Sequence, residues 1–280
     1  MQIQQIGFGT YMIPQHLTKE CITEALKQNY TYFDCAYLYG NEKQIGEALS
    51  EHFQTNDRSK YFISTKLWNT NHTAQRVKNQ LEFSLKTLQL EYLDLFLVHW
   101  PVPFEPASLK ETWQAMEACV DSGLVRFIGV SNYSAKQLSE LLSYARIRPY
   151  TNQIEVHPFF QNRDLISFCH QNHIHVTAYS PLCGNYDNIP SIAELGEQLE
   201  IADMCAKYAK DPAQIVLQWH LQHFPLHYSV VPKTQTIERI GTNRQINFEL
   251  TKEEMEFIDK LGANERGSDS MKLFGMEVFE

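Results

Sequence analysis

Apolar positions fall into two alternating patterns along this chain. Short runs rich in β-branched and aromatic residues recur from end to end: "IGFGT", "YFDCA", "YFISTKLW", "LDLFLVHW", "VRFIGVSN", "YTNQIEV", "HVTAYSPL" and "YSVVPKT". Between them, apolar residues return at three- and four-residue steps, as in Thr73 to Leu90 and Leu109 to Ser122. The first pattern suits buried strands and the second suits helices with one apolar stripe. Eight strands alternating with helices match the closure number of a (β/α)8 TIM barrel, so a single α/β domain over residues 1–280 is expected. An open dinucleotide-binding sheet would carry a G-x-G-x-x-G turn, and none occurs; "GFG" at Gly7, Phe8 and Gly9 is too short. Thr251 with Glu254 predicts a capping box for a late helix. Beyond it, residues 263–280 read as an irregular tail. Its Phe274, Met276 and Phe279 either fold over a pocket mouth or belong to a loosely packed terminus.

Composition narrows the partner. At 280 residues and 43% hydrophobic content, the chain can bury a large core. A formal charge of -9 with no Lys/Arg block argues against nucleic acid or an anionic membrane surface, and leaves a small molecule. No apolar run approaches the roughly eighteen residues of a membrane span, and "MQIQQIGFGT" lacks the regions of a signal peptide, so a cytoplasmic protein is expected. Six scattered cysteines without a C-x-x-C pair suit reduced thiols in the core, with Cys35 and Cys183 adjoining the site below. His170, His173 and His175 in "HQNHIHV" lack a carboxylate or cysteine to complete a metal set and are expected to be solvated loop residues.

In a parallel barrel, chemistry gathers at the C-terminal ends of the strands. Asp34 closes the second strand with Tyr39 in the loop after it, Lys66 closes the third, and His99 closes the fourth. Neighbouring strands lie about 4.8 Å apart, so these four converge on one point. A phenol, an ammonium, a carboxylate and an imidazole suit protonation of a carbonyl oxygen. The Lys66 cation is expected to lower the Tyr39 pKa, Asp34 to hold the lysine, and His99 to orient the carbonyl. A hydride donor must then lie nearby. "VVPKTQTIERIGTN" offers Lys233, Thr234, Arg239 and Asn243 where barrels bind phosphate, and more cation than a pyrophosphate needs, which fits a 2'-phosphate. Cations opening a helix oppose its dipole, a conflict that a bound anion would resolve. Tyr179 offers a ring to stack on a nicotinamide, and Ser131, Asn132 and Gln153 offer partners for its carboxamide.

The stretches "FDCAYLYGNE", "LDLFLVHWP", "VRFIGVSNY", "NQIEVHP" and "VPKTQTIERIGTN", joined by "AYSPL", resemble the aldo-keto reductases over nearly the whole chain, most of all the small diketogluconate and carbonyl reductase branch. The resemblance implies a barrel that binds NADP(H) and reduces aldehydes and ketones, with Asp34, Tyr39, Lys66 and His99 as catalytic tetrad. It further implies that Ser131, Asn132, Gln153, Tyr179, Ser180 and Leu182 contact the nicotinamide half. Lys233, Thr234, Arg239 and Asn243 would grip the 2'-phosphate end. Tyr11, Leu38, Trp68 and Trp100, with Phe104 and the tail, are expected to wall a substrate pocket. The resemblance also implies a monomer. The segment from Gly184 to Leu199 is short for a loop that elsewhere covers the cofactor, so freer exchange is expected, and a shortened or missing N-terminal hairpin is expected at the barrel bottom. Two competing functions remain: a non-catalytic NADPH-binding regulatory or structural protein on the same fold, and a glycosidase, which would need two carboxylates such as Glu42 and Glu155 facing one pocket.

Overall fold

The computed structural model describes residues 3–184, 186–224, 226–268 and 270–278. All eight expected strands form: β1 (Phe8–Gly9), β2 (Tyr32–Asp34), β3 (Phe62–Leu67), β4 (Leu93–Val98), β5 (Val125–Ser131), β6 (Thr151–Glu155), β7 (His175–Tyr179) and β8 (Tyr228–Val230). Each pairs in parallel with the next in chain order. The circle closes between the first and last strands. Ile6 bridges Val230, Gly7 N–H donates to Val230 O at 2.8 Å, and Gly9 N–H donates to Pro232 O at 3.0 Å. A Cβ on Gly9 would stand 2.7 Å from Val231 O, so glycine permits the closing approach.

Helices α1 (Gln15–Lys27), α2 (Glu42–Phe53), α3 (Ala74–Leu88), α4 (Leu109–Asp121), α5 (Ala135–Tyr144) and α6 (Arg163–Gln171) follow the first six strands. Three more, α7 (Ile192–Gly196), α8 (Leu199–Tyr208) and α9 (Pro212–His223), lie between β7 and β8. After β8 come α10 (Ile237–Thr242), α11 (Lys252–Lys260) and α12 (Ser270–Phe274). Capping boxes start α4, α5, α7, α9 and α11, the last from Thr251 and Glu254 as expected. The main core fills the space between barrel and helices, where every residue of β3 and β4 is buried. Inside the barrel, Tyr32, Phe62, Leu95 and Leu97 form a plug with Phe127 and Tyr150, whose rings stack at 4.5 Å. This plug closes the bottom and leaves chemistry to the open top.

Three expectations change. His170 lies on α6, and His175 begins β7 with Nε2 3.0 Å from Ser229 Oγ and its ring against Tyr150, so the strand carries it into the barrel wall rather than into a solvated loop. The tail is not wholly irregular, because α12 forms within it; Phe279 lies outside the described residues. The segment from Gly184 to Leu199, expected as a short loop, also holds α7, which anchors it through Leu195 in a second apolar cluster with Cys183 and Ile189. All six cysteines are free thiols, and five are buried. Among the described residues, no helix is long and apolar enough to cross a membrane, and no group of three or more His, Cys, Asp or Glu residues could hold a metal ion.

Buried histidines make the fold acid-sensitive. Burial pushes His220 and His175 down to about 3, and His72 down to about 4, from an ordinary 6.5. His220 is held neutral between the Tyr228 hydroxyl, 2.9 Å from Nδ1, and the Pro181 carbonyl, 3.1 Å from Nε2. Above pH 6.5 these rings are neutral in both folded and unfolded chains. Below it only the unfolded chain takes up the protons, so the contribution to stability is lost as pH falls toward the folded values. The expected melting temperature is level above pH 6.5 and drops between 6.5 and about 4, which thermal denaturation followed by circular dichroism will check.

Candidate active site

Four strand ends meet at the top of the barrel. Asp34 ends β2 and is buried, and the chain then makes a single 3-10 turn, Tyr37–Tyr39, which Gly40 ends in the left-handed region at φ +68°. That turn hangs the Tyr39 ring back over the strand ends. Lys66, fully buried in β3, sends Nζ to Asp34 Oδ1 at 2.9 Å, Asp34 Oδ2 at 2.8 Å, Cys35 O at 2.8 Å and Tyr39 Oη at 3.2 Å. Asp34 Oδ1 also accepts from Ser64 Oγ at 3.1 Å and Gln153 Nε2 at 2.8 Å. The carboxylate is therefore held from β3 and from β6 across the barrel. His99 follows β4, its ring edge-on to Tyr39 at 5.9 Å and to Trp68 at 5.3 Å. Its Nδ1 is buried without a hydrogen-bond partner among the described residues.

The electrostatics correct one expectation. Burial first, then the negative charge of Asp34 and the neighbouring Tyr11, hold the Tyr39 phenol well above its ordinary value rather than below it. Lys66 cannot act as a free cation toward the phenol, because both carboxylate oxygens of Asp34 already engage it. The result is a neutral O–H beside a neutral ion pair. Burial and then the Lys66 charge push His99 well below the usual histidine range, so its ring is neutral too. The site therefore holds an uncharged proton donor and an uncharged imidazole at one end of the cleft.

The residues expected to hold an amide lie alongside. Asn132 turns the chain after β5 in the left-handed region at φ +64°, a conformation asparagine tolerates. Its Nδ2 donates to His99 O at 3.0 Å, and its Oδ1 accepts from Tyr179 Oη at 2.7 Å. Ser131 Oγ donates to Gln153 O at 2.9 Å. Tyr179, at the end of β7, is thus fixed by its hydroxyl with its ring partly buried. Ser180 follows with Oγ 2.9 Å from Tyr186 Oη, while Leu182 packs between the two large apolar clusters.

At the end of β8, Lys233 is exposed and Thr234 Oγ1 accepts from Thr236 N–H at 3.1 Å. Arg239 is exposed on α10 and Asn243 is buried at its C-terminal end. The dipole argument made from sequence fails here. The helix is only Ile237–Thr242, Glu238 occupies its first turn, and Arg239 lies within its last turn, so no cation opposes a long macrodipole. What stands is simpler: neither Lys233 nor Arg239 forms a salt bridge among the described residues. Two exposed, uncompensated cations beside the cleft suit a phosphate.

The apolar wall also assembles. Tyr11 stands 5.0 Å from Tyr39 and is exposed, as is Leu38 on the 3-10 turn. Trp68 and buried Trp100 meet Phe274 of the tail at 6.4 and 5.0 Å, and Phe104 meets it at 5.8 Å. The tail does cross the mouth; Met276 is exposed beside it. Glu42 and Glu155 do not form a glycosidase pair. Glu42 accepts from Thr65 and Ser84 behind β3, whereas Glu155 serves His157 and backbone amides of the tail. Sequence reasoning missed Tyr186 and the role of Glu155. For Glu155 the available signal was its position two residues after Gln153, on the same face of β6.

A sequence model of the aldo/keto reductase family matches residues 5–263. Aldo-keto reductase family 1 member A1 of Bos taurus is 39% identical, over 93% of this chain and 86% of its own. The NADP-dependent D-sorbitol-6-phosphate dehydrogenase of Malus domestica is 36% identical, over 98% and 95%. The solved aldose reductase of Giardia lamblia superposes with a TM-score of 0.94 at 35% identity, over 99% of this chain and 98% of that one.

Proposed function

Because the chain belongs to the aldo/keto reductase family, whose NADPH-dependent carbonyl reduction is its activity, we propose that Tyr39, Lys66, Asp34 and His99 perform the proton transfer in that reaction. The observation that carries this assignment is the Lys66 ammonium bridging Asp34 and the Tyr39 hydroxyl at the barrel mouth. Tyr39 Oη donates its proton to the carbonyl oxygen as negative charge develops there. The neutral His99 ring donates a hydrogen bond to the same oxygen and fixes its direction. Lys66 and Asp34 orient the phenol, and Trp68, Trp100 and Phe274 exclude water from the reacting centre.

NADPH, when bound, supplies the hydride to the carbonyl carbon. The residues present fit it. The polar set of Ser131, Asn132 and Gln153 suits the carboxamide, the Tyr179 ring suits the nicotinamide face, and Ser180 and Leu182 border that half. Lys233 and Arg239, with Thr234 and Asn243, suit the 2'-phosphate end. The aromatic wall suits aliphatic and aromatic aldehydes and ketones as substrates. The free thiols support a cytoplasmic setting, and we take the working form to be a monomer. The retained tetrad favours turnover over a purely cofactor-binding role, and consumption of NADPH with a panel of aldehydes by wild type and Tyr39→Phe tests it.

The phosphate assignment has its own test. Lys233→Ala combined with Arg239→Ala removes two charge-assisted contacts, each worth about 1.5–3 kcal/mol. NADPH affinity is expected to fall by about 10²- to 10⁴-fold, while NADH affinity changes far less. Fluorescence titration with both cofactors reads this directly. Equal losses for the two would remove Lys233 and Arg239 from the 2'-phosphate site.

A further inference from the structure

The buried carboxylate of Glu155 takes no part in the proton transfer, yet besides the neighbouring His157 it holds two backbone amides at the roof of the pocket. It ends β6, and side-chain alternation along a strand places it on the same face as Gln153, nearer the mouth. Oε1 accepts from Gly267 N–H at 2.7 Å and lies 3.0 Å from His157 Nε2, while Oε2 accepts from Ser268 N–H at 2.8 Å. Both amides belong to the root of the tail. Around them, Ala263 and Glu265 N–H donate to Phe159 O at 3.2 and 3.1 Å, and the Arg266 guanidinium lies 4.4 Å over the Phe160 ring.

Tyr186, from the segment after β7, interlocks with this root. Its hydroxyl is 2.9 Å from Ser180 Oγ and 3.3 Å from Ser268 Oγ, and a Cβ on Gly267 would collide with its ring. The far end of the tail has a second anchor, where Gln137 Nε2 donates to Val278 O at 3.1 Å and Val278 is buried with Trp100 and Val102. Phe274 spans the distance between the two anchors, against Trp68, Trp100 and Phe104.

We propose that Glu155 is a positioning residue that clasps the tail root and Tyr186 into one roof, and thereby sets the preference for large apolar carbonyls over small ones. A buried carboxylate is costly unless its lone pairs are filled, and here His157 and two backbone amides of the tail fill them. Two successive N–H groups on one carboxylate fix the chain tightly, and Phe274 follows a few residues later. A large apolar substrate reaches that ring, whereas a small aldehyde is held by the tetrad end alone. The proposal rests on the reductase function above.

The test compares wild type, Glu155→Gln, Tyr186→Phe, Phe274→Ala and the Glu155→Gln/Phe274→Ala double variant, using naphthaldehyde and propanal with NADPH. Glutamine keeps the shape but turns one acceptor into a donor facing an N–H, which opens the clasp. The expected result is a rise in KM for naphthaldehyde and a fall of about tenfold in its selectivity over propanal, the scale of losing an apolar contact. Phe274→Ala is expected to give the same loss, and the double variant no further loss, because both act through one roof. Tyr186→Phe, which leaves the core packing intact, is expected to shift selectivity in the same direction and keeps the test decisive if Glu155→Gln does not fold. Unchanged selectivity, equal losses on both aldehydes, or additive losses would overturn the clasp. Wild-type protein that reduces neither aldehyde would overturn the reductase function itself.

Discussion

Tyr39→Phe is expected to lower turnover of any carbonyl substrate by about 10²- to 10⁴-fold, the usual contribution of a positioned acid. NADPH affinity and melting temperature should stay close to wild type. The reason lies in what the hydroxyl touches: among the described residues it is hydrogen-bonded to Lys66 Nζ at 3.2 Å, and Lys66 keeps both oxygens of Asp34 and the Cys35 carbonyl when the hydroxyl is lost. The ring contacts to Tyr11 and His99 also survive. A Tyr39→Phe protein with wild-type turnover would transfer the acid role elsewhere in the pocket. Steady-state rates together with a fluorescence titration of NADPH separate loss of chemistry from loss of binding.

Lys66→Met should damage both stability and catalysis. Methionine keeps most of the lysine's apolar stem but leaves the Asp34 carboxylate, 3% exposed, facing an apolar group. Breaking a buried ion pair from one side costs about 3–5 kcal/mol, because the remaining charge is uncompensated. For a chain of this size each kcal/mol shifts the melting temperature by about 2–4 °C, so a drop on the order of 10 °C is expected. Ser64 and Gln153 still donate to Asp34, which should keep the chain folded at room temperature. Turnover falls as well, since the phenol loses the ammonium that orients it. A thermal scan and initial rates on the same preparation check both halves.

The barrel was legible because its strands are buried on both faces and read as near-continuous apolar runs, "LDLFLV" of β4 being the clearest. The tetrad was legible for a related reason: polar residues ending such runs have few structural uses, and barrel geometry collects them. What sequence spacing could not supply was the wiring between them. Asp34 holds Lys66 as expected, but the expected lowering of the Tyr39 pKa by that lysine does not follow, because the phenol responds to burial and to the carboxylate instead. The Gln153 contact with Asp34 joins β6 to β2 across the barrel, a distance in sequence over which no local pattern operates. For Glu155 the spacing from Gln153 could show the face of β6 it lies on but not its role, because besides His157 its partners are backbone amides of the tail, and backbone groups carry no signature in the sequence. Arg239 misled because a cation near a predicted helix start was judged against a full helix dipole, and the helix is a short one with Glu238 in its first turn. His175 misled because, although it heads the strand run "HVTAYSPL", it was grouped with the polar His170 and His173 rather than with that strand.

The most direct measurement is the single-turnover rate of NADPH consumption by wild type and Tyr39→Phe, at saturating cofactor and aldehyde, across neutral to mildly alkaline pH. With the phenol held protonated by its surroundings, the wild-type rate should be level over that range and the variant slow throughout. A variant that consumes NADPH as fast as wild type at any of those pH values would contradict the assignment of Tyr39 as the proton donor.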